Sequence, residues 1–160
     1  MKRIALFLLF TCCIFLVGCL ANAAPVQGRV LSIADGDTFT VMLRGQKIKV
    51  RIHGIDAPER NMPYYKASKS YLSGLIGNRQ VLLTLVEKDR YGRWVARVQL
   101  PDKTDVGAQM VAAGMAWHFT RYSADRKLAA LQQKAKVAKL GLWRDPKPMP
   151  PWVVRKARRN

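Results

Sequence analysis

The stretch VQGRVLSIADGDTFTVMLRGQKIKVRIHGI, residues 26–55, decides the fold, because it carries three strand patterns separated by turn signals. The branched apolar residues of 26–33 predict a first strand, and Asp35-Gly36 predicts a tight turn into a second strand over 38–43. After a second turn, residues 46–55 alternate between apolar and basic side chains, as expected of a half-buried strand. The third strand therefore has one core face and one basic face.

The next segment adds a helix and two strands. Pro63 suits the first turn of a helix whose apolar residues recur at three- and four-residue spacing as far as Gly77. Residues 80–86 and 94–100 predict two further strands, joined through a charged turn. Five strands, with a helix between the third and the fourth, predict a closed five-stranded barrel of the OB type that carries extra helices.

The remainder of the chain predicts two more helices and a tail. One helix is expected from about 105 to 113, closed by Gly114, and another from about 124 to 140, with Ser123 as its N-cap. Beyond Trp143 the composition shifts to prolines and then to arginines and lysines, which predicts an extended tail with a basic end. The fold class is thus a five-stranded β-barrel with three α-helices.

Charge and composition limit the classes of partner. The chain has 160 residues, with 28 Lys and Arg against 10 Asp and Glu, for a formal charge of +18. The 49% apolar content excludes a disordered chain. An excess of positive charge of this size predicts a polyanionic partner, either nucleic acid or an anionic membrane. Cys12, Cys13 and Cys19 all lie near the N-terminus, so neither a disulfide framework nor a cysteine metal site serves the rest of the chain.

The first residues resemble an export signal. Lys2 and Arg3 precede an uncharged apolar run over residues 4–17, and small residues ending in Ala23 follow. This order is typical of a secretory signal cleaved before Ala24, and the apolar run is short for a membrane span. An alternative stays open, because Leu16-Val17-Gly18-Cys19 resembles a bacterial lipobox, in which Cys19 would be lipidated.

These observations divide the chain into three parts. Residues 1–23 are the expected signal peptide, residues 24–144 the expected barrel domain, and residues 145–160 a Pro-rich basic tail. The working protein is expected outside the cytoplasm, in the periplasm or the medium, with a membrane anchor only if Cys19 is lipidated.

Carboxylates at strand ends stand out in a chain this poor in acids. Asp37 and Asp56 offer hard oxygen ligands, and two carboxylates with a backbone carbonyl and waters suit Ca²⁺ or Mg²⁺. Arg51 and Arg93 bring permanently charged forks that match phosphate oxygens. Glu59, three residues after Asp56, is placed to activate or orient a water. These groups are the components of phosphodiester hydrolysis.

Arg51 and Asp56 must lie on the same side of the sheet if they act in one site. Strict alternation along a strand would place Arg51 and Asp56 on opposite faces of the sheet. The two side chains can meet only if the strand ends or bulges near Gly54.

Taken together, these residues resemble the thermonuclease, or staphylococcal nuclease-like, family of secreted calcium-dependent nucleases. The resemblance covers residues from about 26 to 152. It rests on the motifs Asp35-Gly36-Asp37-Thr38, Arg51-Ile52-His53-Gly54-Ile55-Asp56-Ala57-Pro58-Glu59, Asp89-Arg90-Tyr91-Gly92-Arg93, Gly114-Met115-Ala116-Trp117 and Gly141-Leu142-Trp143, in the order typical of the family.

The resemblance implies specific roles for these residues. It implies that one Ca²⁺ ion is bound by Asp37, Asp56 and the backbone carbonyl of Ala57, and that Arg51 and Arg93 contact the scissile phosphate. It further implies that Glu59 is the general base and that cleavage of DNA and RNA leaves 3′-phosphates. Two tyrosines, Tyr91 and Tyr122, fall where the family places tyrosines beside the nucleotide. Asp35 either supports a neighbour or only shapes its turn.

The expected protein is an exported, Ca²⁺-dependent, sugar-nonspecific endonuclease that binds DNA and RNA through the phosphate backbone. No obligate protein partner is evident from the sequence, and a monomer is expected. Two alternatives remain at this stage: a non-catalytic, exported nucleic-acid-binding OB module, and an envelope-binding protein attached through its positive charge.

Overall fold

Five strands close into a barrel in a computed structural model that describes residues 24–158. The barrel order is β1-β2-β3-β6-β5. Its strands are β1 (Val26–Ile33), β2 (Thr38–Leu43), β3 (Gln46–Ile52), β5 (Gln80–Lys88) and β6 (Trp94–Gln99), and the short strands β4 (Ile55–Asp56) and β7 (Trp117–His118) pair outside it. The expected five-stranded barrel is confirmed.

The barrel is closed by one parallel pairing. The contacts of β1 with β2, β2 with β3, β1 with β5 and β5 with β6 are antiparallel, whereas β3 runs parallel to β6. Side chains from the inward face of each strand fill the interior, among them the fully buried Phe39, Val50, Leu83 and Val98. The period of two seen in the sequence is therefore the division between core and solvent.

Four helices occur within residues 24–158, where three were expected. They are α1 (Tyr65–Ile76), α2 (Val106–Ala112), α3 (Arg126–Val137) and α4 (Pro151–Ala157), and a short 3₁₀ helix spans Gly141–Arg144. The helix α3 also starts later than expected. Asp125, not Ser123, is its N-cap, because the Asp125 carboxylate accepts hydrogen bonds from the backbone N–H groups of Lys127 and Leu128.

The prediction of an extended tail is wrong for residues 151–157, which form α4. Pro151 occupies the first turn of this helix, where its fixed φ and missing N–H are tolerated. Packing supplies the rest: Trp152 stacks on Phe119 with ring centroids 5.0 Å apart and an interplanar angle of 9°, and meets the edge of Trp117 at 5.8 Å. The tail composition indicated a linker, but an aromatic anchor docks it on the barrel domain.

The predicted signal peptide and the alternative lipidation site at Cys19 lie outside the described residues. Within residues 24–158, none of the helices has the length and apolar character needed to span a bilayer.

Candidate active site

The turn between β3 and β4 brings Arg51 and Asp56 together. Strand β3 ends at Ile52, Gly54 adopts a left-handed φ of 77°, and β4 begins at Ile55. The strand therefore ends near Gly54, as is needed for Arg51 and Asp56 to meet. A side chain at Gly54 would be strained by its φ and would press on Ser123 and Leu128, so glycine is needed there.

Asp37, Arg51 and Asp56 form a bridged set. The Arg51 guanidinium donates from Nη1 to Asp37 Oδ1 at 2.8 Å and from Nη2 to Asp56 Oδ1 at 2.7 Å. A further bond from Nη2 reaches the carbonyl oxygen of Ile55 at 3.2 Å. Both carboxylates are buried. One guanidinium therefore holds a carboxylate from the β1–β2 loop and one from β4 side by side.

Charge and burial oppose each other in this set. Burial raises the pKa of the Asp56 carboxyl above its ordinary value, with the negative charge of Asp37 acting in the same direction, although bonds from Arg155 and Arg51 counteract it. Burial lowers the pKa of Arg51, but the charges of Asp37 and Asp56 more than compensate and raise it above its ordinary value. The guanidinium thus remains charged at any relevant pH.

The loop between β1 and β2 delivers Asp37. Asp35 Oδ1 accepts a hydrogen bond from the backbone N–H of Asp37 at 3.0 Å, and Asp37 Oδ2 accepts one from the N–H of Ala57 at 2.8 Å. Gly36 lies so close to Ser68 of α1 that an added Cβ would overlap the Ser68 hydroxyl. Burial, and next the charge of Asp37, raise the pKa of Asp35 to about 6.

Arg93 approaches the same set from the turn between β5 and β6. Asp89 holds it, with Asp89 Oδ2 2.8 Å from Arg93 Nε and 2.7 Å from Nη2. Arg93 Nη1 also donates to the Thr38 hydroxyl at 3.3 Å, and that hydroxyl donates to Asp37 Oδ1 at 2.8 Å. Thr38 and Asp89 were not assigned these roles from the sequence, although both lie inside the quoted motifs.

The predicted nucleotide-binding tyrosines are exposed. Tyr91 and Tyr122 have 64% and 60% of their surface accessible, so both side chains are within reach of a ligand in solvent. The guanidinium groups of Arg90 and Arg93 lie over the Tyr91 ring, and that of Arg121 lies over the Tyr122 ring. Both tyrosines border the open groove whose floor and walls include Asp37, Arg51, Asp56, Glu59, Arg93 and Arg155, with a volume of about 1390 Å³. We call this feature the active-site groove.

Arg155 is a further residue of the groove that the sequence did not indicate. It donates from Nη2 to Asp56 Oδ2 at 2.6 Å and from Nη1 to Glu59 Oε1 at 2.7 Å. The outer Arg158 lies 3.5 Å from Glu59 Oε2. The sequence predicted an extended tail with a basic end, and nothing in its local pattern pairs it with acids almost a hundred positions away. The closest signal was Trp152, the one aromatic residue among residues 145–160.

The donor set suits a hard divalent cation. Asp37 and Asp56 converge on one guanidinium, and their oxygens are of the type that Ca²⁺ and Mg²⁺ prefer. Residues 24–158 contain no cluster of three or more His, Cys, Asp or Glu side chains spaced to hold a metal. A cation bound here would therefore take backbone oxygen and water as additional ligands.

Comparison with known proteins identifies the family of this chain. The profile of the family described as staphylococcal nuclease homologue matches residues 49–145, which run from β3 through the 3₁₀ helix. An uncharacterized endonuclease of Escherichia coli O157:H7 is 39% identical over 132 residues, covering 82% of this chain and 86% of that protein.

Two further relatives extend the comparison. A micrococcal nuclease of Shigella flexneri is 35% identical over 147 residues, covering 86% of this chain and 84% of its own. A probable staphylococcal-like nuclease of rice, Oryza sativa subsp. japonica, is 36% identical over 115 residues, which is 72% of this chain but 34% of the plant protein.

An OB-type barrel with arginines and carboxylates in one open groove has the charged side chains that bind phosphate groups. The chain belongs to the staphylococcal nuclease homologue family, and it is accordingly a nuclease, a hydrolase with nucleic acid as its substrate.

Proposed function

We propose that this nuclease is an exported, Ca²⁺-dependent endonuclease that hydrolyses DNA and RNA without regard to the sugar and leaves 3′-phosphate ends. The observation that carries the proposal is the convergence of Asp37, Arg51 and Asp56 beside Glu59 and Arg93 in one open groove. The relatives named endonuclease and micrococcal nuclease support the same activity.

Asp37 and Asp56, with the Ala57 carbonyl, would hold the calcium ion. When bound, the ion supplies a Lewis acid that polarises a phosphoryl oxygen. The chain itself prepares that place: Arg51 fixes the spacing of the two carboxylates, and the Ala57 N–H orients Asp37. The two carboxylates are therefore held side by side before a cation binds.

Arg51 and Arg93 would bind the phosphate oxygens as charge develops on them. A guanidinium has five N–H donors. Within the described residues, Arg51 donates three hydrogen bonds, two to the carboxylates and one to the Ile55 carbonyl. The other two are available to a phosphate. Arg93 is held by Asp89, so its fork is oriented before substrate arrives.

Glu59 would accept a proton from the attacking water. It lies in the loop after β4, partly exposed at the groove wall, where water reaches it. A carboxylate positioned in this way contributes on the order of 10²- to 10⁴-fold to a rate. Binding would depend on the backbone of the nucleic acid, and Tyr91 and Tyr122 would stack on bases of any identity, which would account for an activity without base specificity.

Export is proposed from the sequence alone. Lys2, Arg3 and the apolar run that follows predict removal of residues 1–23, and Cys19 would replace Ala24 as the N-terminus if it were lipidated. The mass of the N-terminal peptide of the exported protein distinguishes these two starts. We expect the mature protein to act as a monomer.

The test of the activity is digestion of heat-denatured DNA by the purified protein, in millimolar Ca²⁺ and in excess chelator. Cleavage is expected only with Ca²⁺, and Glu59→Gln is expected to lower the rate by about 10²- to 10⁴-fold, because the amide cannot accept the proton. Asp102→Asn, an equivalent change at an exposed turn, is the matched control.

Each part of the proposal has its own contradicting outcome. Equal cleavage in chelator would contradict the calcium requirement. A Glu59→Gln variant as fast as the Asp102→Asn control would contradict the role of Glu59. DNA that is bound but left intact by the folded protein would favour the non-catalytic binding module, and mapping of product ends checks the expected 3′-phosphates.

A further inference from the structure

Arg155 lies in the active-site groove, where its positive charge acts on two carboxylates. Its guanidinium lies against Asp56 and Glu59, the carboxylates proposed to bind the cation and to activate water. Its side chain is 30% exposed, so it is neither a free surface arginine nor part of the core. Bonds to Asp56 and Glu59 outweigh burial and raise the pKa of Arg155, which therefore stays charged.

The position of Arg155 follows from how α4 is docked. Pro151 is buried, and Trp152 packs face to face on Phe119 and edge to face on Trp117. Phe119 is itself tied to the β3–β4 turn, since its N–H donates to the Gly54 carbonyl at 2.9 Å. One turn of helix after Trp152, the Arg155 side chain reaches the groove. The arrangement is thus held at both ends, by aromatic packing and by ion pairs.

The oxygens of Asp56 are already engaged by arginine. Oδ1 accepts from Arg51 at 2.7 Å and from Arg155 at 3.3 Å, and Oδ2 accepts from Arg155 at 2.6 Å. A calcium ion would need to approach one of these oxygens to within about 2.3–2.6 Å. Two positive charges would then share one carboxylate oxygen at close range, which is strongly unfavourable in a partly desolvated site.

We propose that Arg155 is an active-site residue that competes with the divalent cation for Asp56, and so sets the cation concentration at which the nuclease works. In the free protein its guanidinium neutralises Asp56 and Glu59, and it leaves them when a cation binds. The inference rests on the cation site of the proposed function. It goes beyond that function because it assigns a role to α4, a segment outside the family match.

The direct test is calorimetric titration of Ca²⁺ into the protein purified from the complete chain, without nucleic acid. Arg155→Ala is expected to bind Ca²⁺ about tenfold more tightly than the unmodified protein or better, equivalent to about 1.4 kcal/mol. Arg155→Lys keeps the charge but loses the two-pronged contact, so its affinity should fall between the two. Arg126→Ala removes one positive charge from the exposed start of α3 and is the matched control, expected to stay within about twofold because distant exposed charges are screened.

Thermal unfolding gives a second readout. Without Ca²⁺, Arg155→Ala should unfold at a lower temperature than the unmodified protein, because buried Asp56 loses a partner. Added Ca²⁺ should raise its unfolding temperature by more than it raises that of the unmodified protein. Trp152→Ala, which removes the aromatic anchor of α4, should tighten Ca²⁺ binding in the same direction, and it keeps the test valid if Arg155→Ala fails to fold.

The outcomes separate this inference from the proposed function. If the unmodified protein binds Ca²⁺ and both Arg155→Ala and Trp152→Ala bind it equally or more weakly, competition by Arg155 is overturned while the calcium site stands. If none of the proteins binds Ca²⁺, both are overturned. Tighter binding in both variants, with Arg126→Ala unchanged, supports the inference.

Discussion

At the scale of single residues, the active-site groove consists of charged side chains that hold one another in position. Asp56 is buried, and an isolated ionised carboxylate there would have a large desolvation cost or would take up a proton. Arg51 and Arg155 make its ionised form tolerable, and Asp37 beside it adds an opposing negative charge. The same logic operates at the rim, where Asp89 holds Arg93.

Asp89 gives a prediction for pH dependence. Burial raises the pKa of its carboxyl, but hydrogen bonds from the Arg93 side chain and from the Arg93 and Tyr91 backbone outweigh that effect, and the pKa is lowered. A carboxyl whose pKa is lower in the folded state stabilises the fold above its unfolded pKa, near 3.9, and loses that contribution as the pH falls through the folded value.

Asp89→Asn should therefore lower the free energy of unfolding at pH 7 by up to about 1 kcal/mol, the upper end for a surface pair. The difference from the unmodified protein should shrink as the pH falls below about 4. Urea unfolding across this pH range measures it. The control is Glu87→Gln at an exposed position without an ion pair in the described part of the chain. A difference that is constant with pH would contradict the assignment.

At the scale of elements, the loop between β1 and β2 packs closely against helix α1. Gly36 lies against Ser68, and a Cβ there would also come within 2.8 Å of the Ala57 side chain. Ser68 is itself held, because its hydroxyl donates to the Met115 carbonyl at 2.7 Å. The position of Asp37 thus depends on a packed contact between a loop and a helix.

Gly36→Ala should destabilise the protein by about 1–3 kcal/mol, the usual cost of inserting a methyl group into a packed region. It should also lower activity, because the displaced loop carries Asp37. The matched control is Gly74→Ala in the last turn of α1, where a Cβ meets nothing within 4 Å, and helix propensity predicts a gain of up to about 1 kcal/mol. Unfolding curves compare the two, and a Gly36→Ala variant as stable as Gly74→Ala would contradict the packing argument.

At the scale of the whole molecule, positive charge dominates. The formal charge of +18 is carried by a chain with only 10 acids, several of which are paired with arginine inside the groove. The unpaired excess is spread over the surface, where it attracts phosphates without reading bases.

Binding of single-stranded DNA should therefore weaken steeply with salt. For the inactive Glu59→Gln protein without Ca²⁺, the logarithm of the binding constant should fall linearly with the logarithm of salt concentration, by about 0.7 per phosphate contacted. Tyr91→Ala in the same background should lose about 1–3 kcal/mol of stacking while its salt slope is unchanged. Fluorescence anisotropy at several salt concentrations measures both, and an affinity that does not respond to salt would contradict the backbone-binding mode.

Local patterns in the sequence account for most of the architecture. The predicted strands 26–33 and 38–43 coincide with β1 and β2, because alternation and turn chemistry act between near neighbours. The break at Gly54 was also deducible, since two side chains that must meet could not do so along an uninterrupted strand.

Tertiary structure alone decided where the C-terminal segment lies and what Arg155 does. Arg155 and Asp56 are 99 positions apart, and no periodicity links them. Their contact depends on the packing of Trp152 against Phe119 and Trp117, which the tail by itself cannot form. Local sequence determined the barrel and the predicted carboxylate and arginine set, because those depend on short-range backbone preferences. The ion pairs that close the groove were decided only by folding, because charge and aromatic packing act through space rather than along the chain.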